Sequence, residues 1–191
     1  MADSSNLVIL ETRSRELDEL RLIRAAREDP KAFGELYMLY VEPVFRYLYS
    51  RVGNVHEAED ITAQTFLVAY EAFDRFREDR HFASWLFTIA RNKAMDHFRQ
   101  RTPLSSMDAA ADLPVENDPL NGVLQLEQLT VLSKLIQALP EDDRELLRLR
   151  FLAAMSFPEL AHILRRNEGA VKKSIYRLLA RLHRQLEVSN E

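Results

Sequence analysis

The chain contains no cysteine. That excludes a disulfide, a thiolate metal site and a cysteine nucleophile, and it fits a reducing compartment. Glycine is scarce, with four in 191 residues. An all-β fold needs more turn-formers, so composition leans to helix. No apolar run approaches the roughly 18–20 residues of a membrane span. The opening, MADSSNLVILETRSRELDEL, lacks a basic region followed by a long apolar core, and the apolar stretch 7–10 is too short for a signal peptide. A soluble cytoplasmic protein with no direct membrane insertion is expected. There is no glycine-rich phosphate loop. His56, His81, His97, His162 and His183 are scattered without metal-ligand spacing. Glu57, Glu59 and Asp60 crowd together, but beside an apolar stripe they read as an interaction surface rather than an acid–base pair. No catalytic residue, no metal and no cofactor is expected, and the chain does not read as an enzyme.

What is present is an ordinary globular balance, 47% hydrophobic and 29% charged, enough for one domain or two small ones. The net charge of −4 argues weakly against nucleic acid, but DNA responds to a local face within about 8–10 Å. Arg75, Arg77, Arg80, Arg91, Lys93, Arg99 and Arg101 form one basic island. Arg165, Arg166, Lys172, Lys173, Arg177, Arg181 and Arg184 form another. The acid lies mostly in the first part of the chain and over 108–145. Two basic islands on an acidic chain suggest two DNA contacts; two solvated helix faces are the plainer alternative.

Residues 102–122, TPLSSMDAAADLPVENDPLNG, break the helical rhythm, with Pro103, Pro114 and Pro119 opposing a continuous helix. This stretch reads as a flexible linker. It divides the chain into an extension (1–19), an N-terminal helical bundle (20–101) and a C-terminal helical domain (123–187). The expected fold class is all-α, as two small helical domains. Elsewhere apolar residues recur at helical steps. Leu17, Leu20 and Ile23 open a first helix that stops near Asp29-Pro30. Phe33, Leu36, Tyr37, Tyr40, Val44, Tyr47, Leu48 and Val52 follow, with Pro43 expected to kink or split that run. Asn54 and Glu57 resemble a capping box. The helix they start presents Ala58, Ile61, Phe66, Ala69, Tyr70 and Phe73. Trp85, Leu86, Ile89, Ala90, Met95 and Phe98 mark the next, with Trp85 as a core residue. In the second half Leu126, Leu129, Leu132, Leu135 and Ile136 make one helix, and Pro140 suits the first turn of another carrying Leu146, Leu147, Leu149 and Phe151.

The sharpest signal is SFPELAHILRRNEGAVKKSIYRLLARL, residues 156–182. Ser156 caps a helix with Glu159 at the capping-box position. A short turn and a second cap, Asn167, lead into another helix. This is the helix-turn-helix arrangement that places its second helix in the DNA major groove. Leu160, Ala161 and Leu164 face inward on the first helix, and Val171, Ile175, Leu178 and Leu179 on the second. Lys172, Lys173, Tyr176 and Arg177 are left on or near the outward face, where Lys and Arg reach phosphates and base edges. Arg165 falls where a left-handed residue is commonly needed. Either it adopts that conformation at a cost of roughly 1 kcal/mol, or the turn is built differently.

From about residue 22 to 186 the chain resembles the extracytoplasmic-function group of bacterial sigma factors. Four stretches in order carry the resemblance: AFGELYMLYVEPVFRYLYSRVGN (32–54), EAEDITAQTFLVAYEAFDRF (57–76), FASWLFTIARNKAMDHFRQR (82–101) and LPEDDRELLRLRFLAAMSFPELAHILRRNEGAVKKSIYRLLARL (139–182). It implies that the chain binds core RNA polymerase and directs promoter recognition and opening. It also implies control of a stress or envelope-signal regulon and an anti-sigma factor as partner. The second stretch resembles the surface that grips the coiled coil of the polymerase's largest subunit, with Asp60, Gln64 and Phe66 at its matching positions. The third resembles the reader of the −10 element. Arg77, Arg80 and Phe82 match the loop that receives a flipped base, and Arg91, Asn92, Lys93, Asp96 and Arg99 match the helix beside the opened strand. The fourth resembles the reader of the −35 element, through Lys172, Lys173, Tyr176 and Arg177. Ser174 stands where the family often carries a basic residue. An operator-binding regulator that is no polymerase subunit, and a purely structural helical adaptor, remain the alternatives.

Overall fold

A computed structural model describes residues 18–77, 81–100 and 122–189. All regular elements among them are helical. Residues 18–28 form α1, followed by α2 (Phe33–Val52), α3 (Val55–Glu71), α4 (Phe82–Gln100), α5 (Gly122–Gln137), α6 (Glu141–Leu147), α7 (Phe157–Leu164) and α8 (Glu168–Ser189). The predicted linker lies outside the described residues except for Gly122.

Local chemistry sets most boundaries. Asp29 ends α1 and accepts a hydrogen bond from the Lys31 amide at 2.9 Å, starting a single 3₁₀ turn through Pro30. Gly53 ends α2 in the left-handed region at φ 71°, its N–H donating to the Tyr49 carbonyl at 2.8 Å. Asn54 caps α3 by accepting from the Glu57 amide at 3.1 Å. The Glu57 carboxylate does not reciprocate; it lies 3.0 Å from His97 Nε2 on α4. The N-terminus of α4 is capped from a distance: Glu19 on α1 accepts the Phe82 amide at 3.2 Å and the Tyr40 hydroxyl. Burial holds the Glu19 carboxyl above the usual carboxylate range.

Of the two outcomes expected at Pro43, a split is excluded. The helix α2 runs through it without a break. The missing N–H leaves the Leu39 carbonyl without its helical donor, but Leu39 is half exposed, so water can take its place. The flanking residues Leu36, Val44, Tyr47 and Leu48 are fully buried and hold both halves in register.

The core of the N-terminal bundle is aromatic. Phe82 packs against Phe76 and Trp85 at centroid separations of 5.4 and 5.5 Å, and Phe33 meets Phe73 edge-on at 5.2 Å. This core continues into the second half of the chain. Leu146, Leu149, Met155 and Leu160 are buried in the same cluster as Leu48, Phe87 and Ala90. At the centre of that contact sits Glu145, only 5% exposed. Its carboxylate accepts from the Tyr47 hydroxyl at 2.7 Å and from Arg51 Nη1 at 2.8 Å. Burial, and then the Glu145 charge, push the Tyr47 phenol far above its ordinary pKa, so it stays a donor. The two helical units are therefore packed on one another.

Between α6 and α7 the helix widens into a π turn, Arg148–Leu152, with the Ala153 N–H donating to the Arg148 carbonyl at 3.0 Å. The extra residue per turn sends Leu149 inward and Phe151 out, to 54% exposure. Phe151 is thus not the core residue that periodicity predicts.

The capping box of α7 is complete, with Ser156 and Glu159 each bonding the other's amide. The turn after α7 resolves the question of Arg165. It is left-handed, φ 52° and ψ 45°. Its N–H donates to the His162 carbonyl at 3.2 Å, and the Arg166 N–H donates to Ala161 at 3.0 Å. This is a Schellman turn made without glycine. Replacing Arg165 with glycine is expected to stabilise the fold by about 1 kcal/mol by removing the left-handed penalty, measured by urea denaturation; an unchanged or lower midpoint contradicts the assigned backbone.

Candidate nucleic-acid and polymerase interface

The helix α8 separates its two faces cleanly. Val171, Ile175, Leu178 and Leu182 are buried, whereas Lys172, Lys173, Tyr176 and Arg177 are exposed. Leu179, predicted inward, is 38% exposed. Asn167 caps the helix, accepting the Gly169 amide at 2.9 Å. The four outward residues are not equally free. Lys172 Nζ lies 3.0 Å from Glu168 and 5.2 Å from the centroid of Phe157. Arg150 also lies over that ring, at 4.9 Å, and Tyr176 packs 6.3 Å from it. This cluster holds Lys172 and Tyr176 to one side. Lys173 and Arg177 occupy the crest one turn apart, joined by a 3.3 Å bond from Arg177 Nε to the Lys173 carbonyl. A cationic crest on a helix whose other face is buried can enter a major groove without unfolding anything.

On α4, Asn92 and Arg99 are exposed. Asp96 is half-buried and accepts from Arg99 at 2.9 Å. Lys93 is half-buried and faces a groove between α3 and α4, lined also by Glu57, Asp60, Ile61, Gln64, Asp96, His97 and Gln100. Arg91 is partly drawn into the contact between the units, its Nε 3.5 Å from Glu145 Oε1, an ion pair without a hydrogen bond. Phe82 is fully buried and presents no surface to a base. Trp85 is half-buried and packs on the edge of the core, against Phe76 at 5.0 Å. Arg77 is exposed; Arg80 lies outside the described residues. Sequence reasoning missed Met95 and Phe98, which are 53% and 41% exposed beside Asn92 and Arg99. Their apolar character placed them in the inward stripe, although each sits at its edge.

The outward row of α3 contains Asp60, Ala63, Gln64 and Leu67. Leu67, also missed, is 58% exposed with Asp60 and Gln64 on its own face. Phe66 points the other way; it is 5% exposed and meets Tyr37 edge-on at 4.8 Å. Asp60 and Gln64 of this row face Lys93, Asp96, His97 and Gln100 of α4 across the shared groove. Among the described residues no helix is long and apolar enough to cross a membrane.

Comparisons with known proteins match both halves of the chain to one family. Residues 36–103 match the family Sigma-70 region 2, and residues 129–182 match Sigma-70, region 4. The ECF RNA polymerase sigma factor SigW of Bacillus subtilis (strain 168) is 30% identical over 177 residues, covering 87% of this chain and 95% of SigW. The ECF RNA polymerase sigma factor BldN of Streptomyces coelicolor is 37% identical over 167 residues, covering 85% of this chain and 63% of BldN. Among solved structures, CnrH in complex with the cytosolic domain of CnrY is similar, with a TM-score of 0.62, 27% identity and coverage of 88% of this chain and 97% of CnrH. The sigma factor RpoE of Bartonella quintana, in complex with the anti-sigma factor NepR, shares the fold with a TM-score of 0.64 at 24% identity, covering 83% of this chain and 98% of RpoE. With both sigma regions in order on one all-helical chain, and a near-full-length relative that is itself such a factor, the chain belongs to the extracytoplasmic-function sigma factors of the sigma-70 family, which bind core RNA polymerase and direct transcription initiation at promoters.

Proposed function

We propose a division of labour among three helix faces. The α3 row of Asp60, Gln64 and Leu67 docks on the coiled coil of the polymerase's largest subunit. The exposed side of α4, with Asn92, Met95, Phe98 and Arg99, holds the opened −10 strand. The crest of α8, Lys173 and Arg177 flanked by Lys172 and Tyr176, reads the −35 element. The observation that carries this reading is the clean split of α8 into a buried apolar stripe and an exposed cationic crest, capped at its start and fixed by a Schellman turn. Units covering about 20–101 and 123–187 act on one promoter at once, so tethering raises the effective concentration of each for its site. Exposed Phe98 and Met95 offer stacking surfaces to unpaired bases, and Arg99 offers charge to the backbone. Arg91 shares its charge with Glu145 in the packed form and becomes fully available to a phosphate when the units part. The chain contributes binding energy alone and the polymerase performs the chemistry, in the cytoplasm. CnrH is in complex with the cytosolic domain of CnrY, and RpoE with an anti-sigma factor; a protein partner of the anti-sigma class is the expected regulator, in a stress or envelope-signal regulon.

The docking face is tested by Leu67→Asp, which places a charge on an exposed apolar residue without touching the core. Binding to core polymerase is expected to weaken by at least about tenfold, as for loss of one interface hot spot. Binding that survives unchanged removes α3 from the contact.

A further inference from the structure

We propose that Arg166, in the turn that precedes α8, is a DNA-contacting cation: a phosphate-binding residue held in place by Ser174. This rests on the reading that α8 enters the −35 element. The backbone of Arg166 is already fixed, its N–H donating to the Ala161 carbonyl at 3.0 Å in the Schellman turn. The side chain is exposed. It runs along α8, where Nη2 donates to Ser174 Oγ at 2.8 Å, eight residues further on.

Ser174 lies on the flank of α8, between the buried stripe of Val171 and Leu178 and the exposed crest of Lys173 and Arg177. Its nearest neighbours on the helix surface at steps of three and four include Ala170 and Arg177. The guanidinium is therefore delivered beside the crest, on the side away from Lys172 and Phe157. Ala170 is small and exposed, so nothing bulky stands between Arg166 and an approaching backbone.

The partner matters as much as the place. Ser174 is a neutral hydroxyl and leaves the positive charge of Arg166 uncancelled, whereas Lys172 faces Glu168 and Arg181 faces Asp143. A guanidinium carries five N–H donors in a planar fork. One bond to Ser174 still leaves the others for the paired oxygens of a phosphate. Holding a long side chain beforehand also lowers the entropy lost when it binds. Arg166 lies at the edge of the recognition surface rather than on its crest, which suits it to the sugar–phosphate backbone. Such contacts position a protein on the duplex and carry no base preference.

The test uses the full chain assembled with core polymerase, bound to duplex promoter fragments whose start sites have been mapped with that holoenzyme. Affinity is followed as a function of salt. Losing one phosphate contact lowers the slope of log K against log salt by about 0.9. Arg166→Ala and Arg166→Gln are both expected to show that loss, equally on fragments that differ only in the −35 bases. Arg166→Gln keeps a donor for Ser174 and guards against a turn that fails to form. Ser174→Ala keeps the charge, so its slope is expected to stay intact while affinity falls by a smaller factor. An unchanged slope in both Arg166 variants overturns the proposal, as does a loss confined to particular −35 sequences. Arg177→Ala, measured in parallel, separates the two levels. If it also leaves promoter binding untouched, the placement of α8 has failed rather than the role of Arg166.

Discussion

Replacing Arg177 by alanine is expected to reduce use of promoters that contain a −35 element by about 5- to 150-fold. That range corresponds to the roughly 1–3 kcal/mol of a bidentate arginine–guanine contact. The structure explains why the effect should be clean. The Arg177 side chain is exposed, and its bond to the Lys173 carbonyl is a long one. The buried stripe on the opposite face of α8 does not involve it. Thermal stability should therefore stay within a few tenths of a kcal/mol of the parent, as for surface changes generally. Promoters opened through the −10 element alone should be unaffected. A loss of equal size on both promoter types would mean that Arg177 supports folding or polymerase binding instead.

The second large effect concerns Glu145. Its carboxylate serves the Tyr47 hydroxyl and Arg51 across the contact between the units, with Arg91 and Arg148 within 3.7 Å. The side chains of Arg51 and Glu145 are 12% and 7% exposed, so solvent screens this pair little. Glu145→Ala leaves three guanidinium groups and a phenol converging on an empty place. Breaking a buried pair from one side costs about 3–5 kcal/mol, which changes a docking equilibrium by a hundredfold or more. Because the pair bridges two units, the chain can relieve this cost by separating them rather than by unfolding either. A compact chain of this length has a radius of gyration near 16 Å. Small-angle scattering should show a clear increase for Glu145→Ala over the parent, with helical circular dichroism retained. Identical radii for the two proteins would mean that Glu145 does not hold the units together.

Much of this molecule was legible in its sequence, and the exceptions have physical causes. Helical spacing located most of the elements because most of them bury a stripe. Ser156 with Glu159, and Asn167, marked the starts of α7 and α8 because caps are local chemistry. The tertiary surroundings of aromatic and apolar residues were not legible. Phe66 and Phe82, expected at interfaces, are core residues, while Leu67, Met95 and Phe98 are exposed. Periodicity assigns a face but cannot say which edge of an apolar stripe lacks a neighbour. Phe151 was misplaced because a π turn shifts the register by a residue, and nothing in RLRFL announces it. Pro43 failed to break α2 because packing on both sides outweighed one lost hydrogen bond. Glu145 is separated from Tyr47 by 98 residues, so no local pattern reveals their pairing. Two basic islands suggested two DNA contacts, but not that Arg91 would be tied to an acid from the other half of the chain.

The most direct measurement is to map transcript starts made in vitro by core polymerase with and without this protein. Addition of the chain is expected to produce new starts, each preceded by the same pair of upstream elements, and Leu67→Asp should reduce them by about tenfold at limiting protein. Core polymerase that ignores the protein and gives an unaltered set of starts, while the purified chain still binds duplex DNA, would contradict the account and leave only an operator-binding helix-turn-helix.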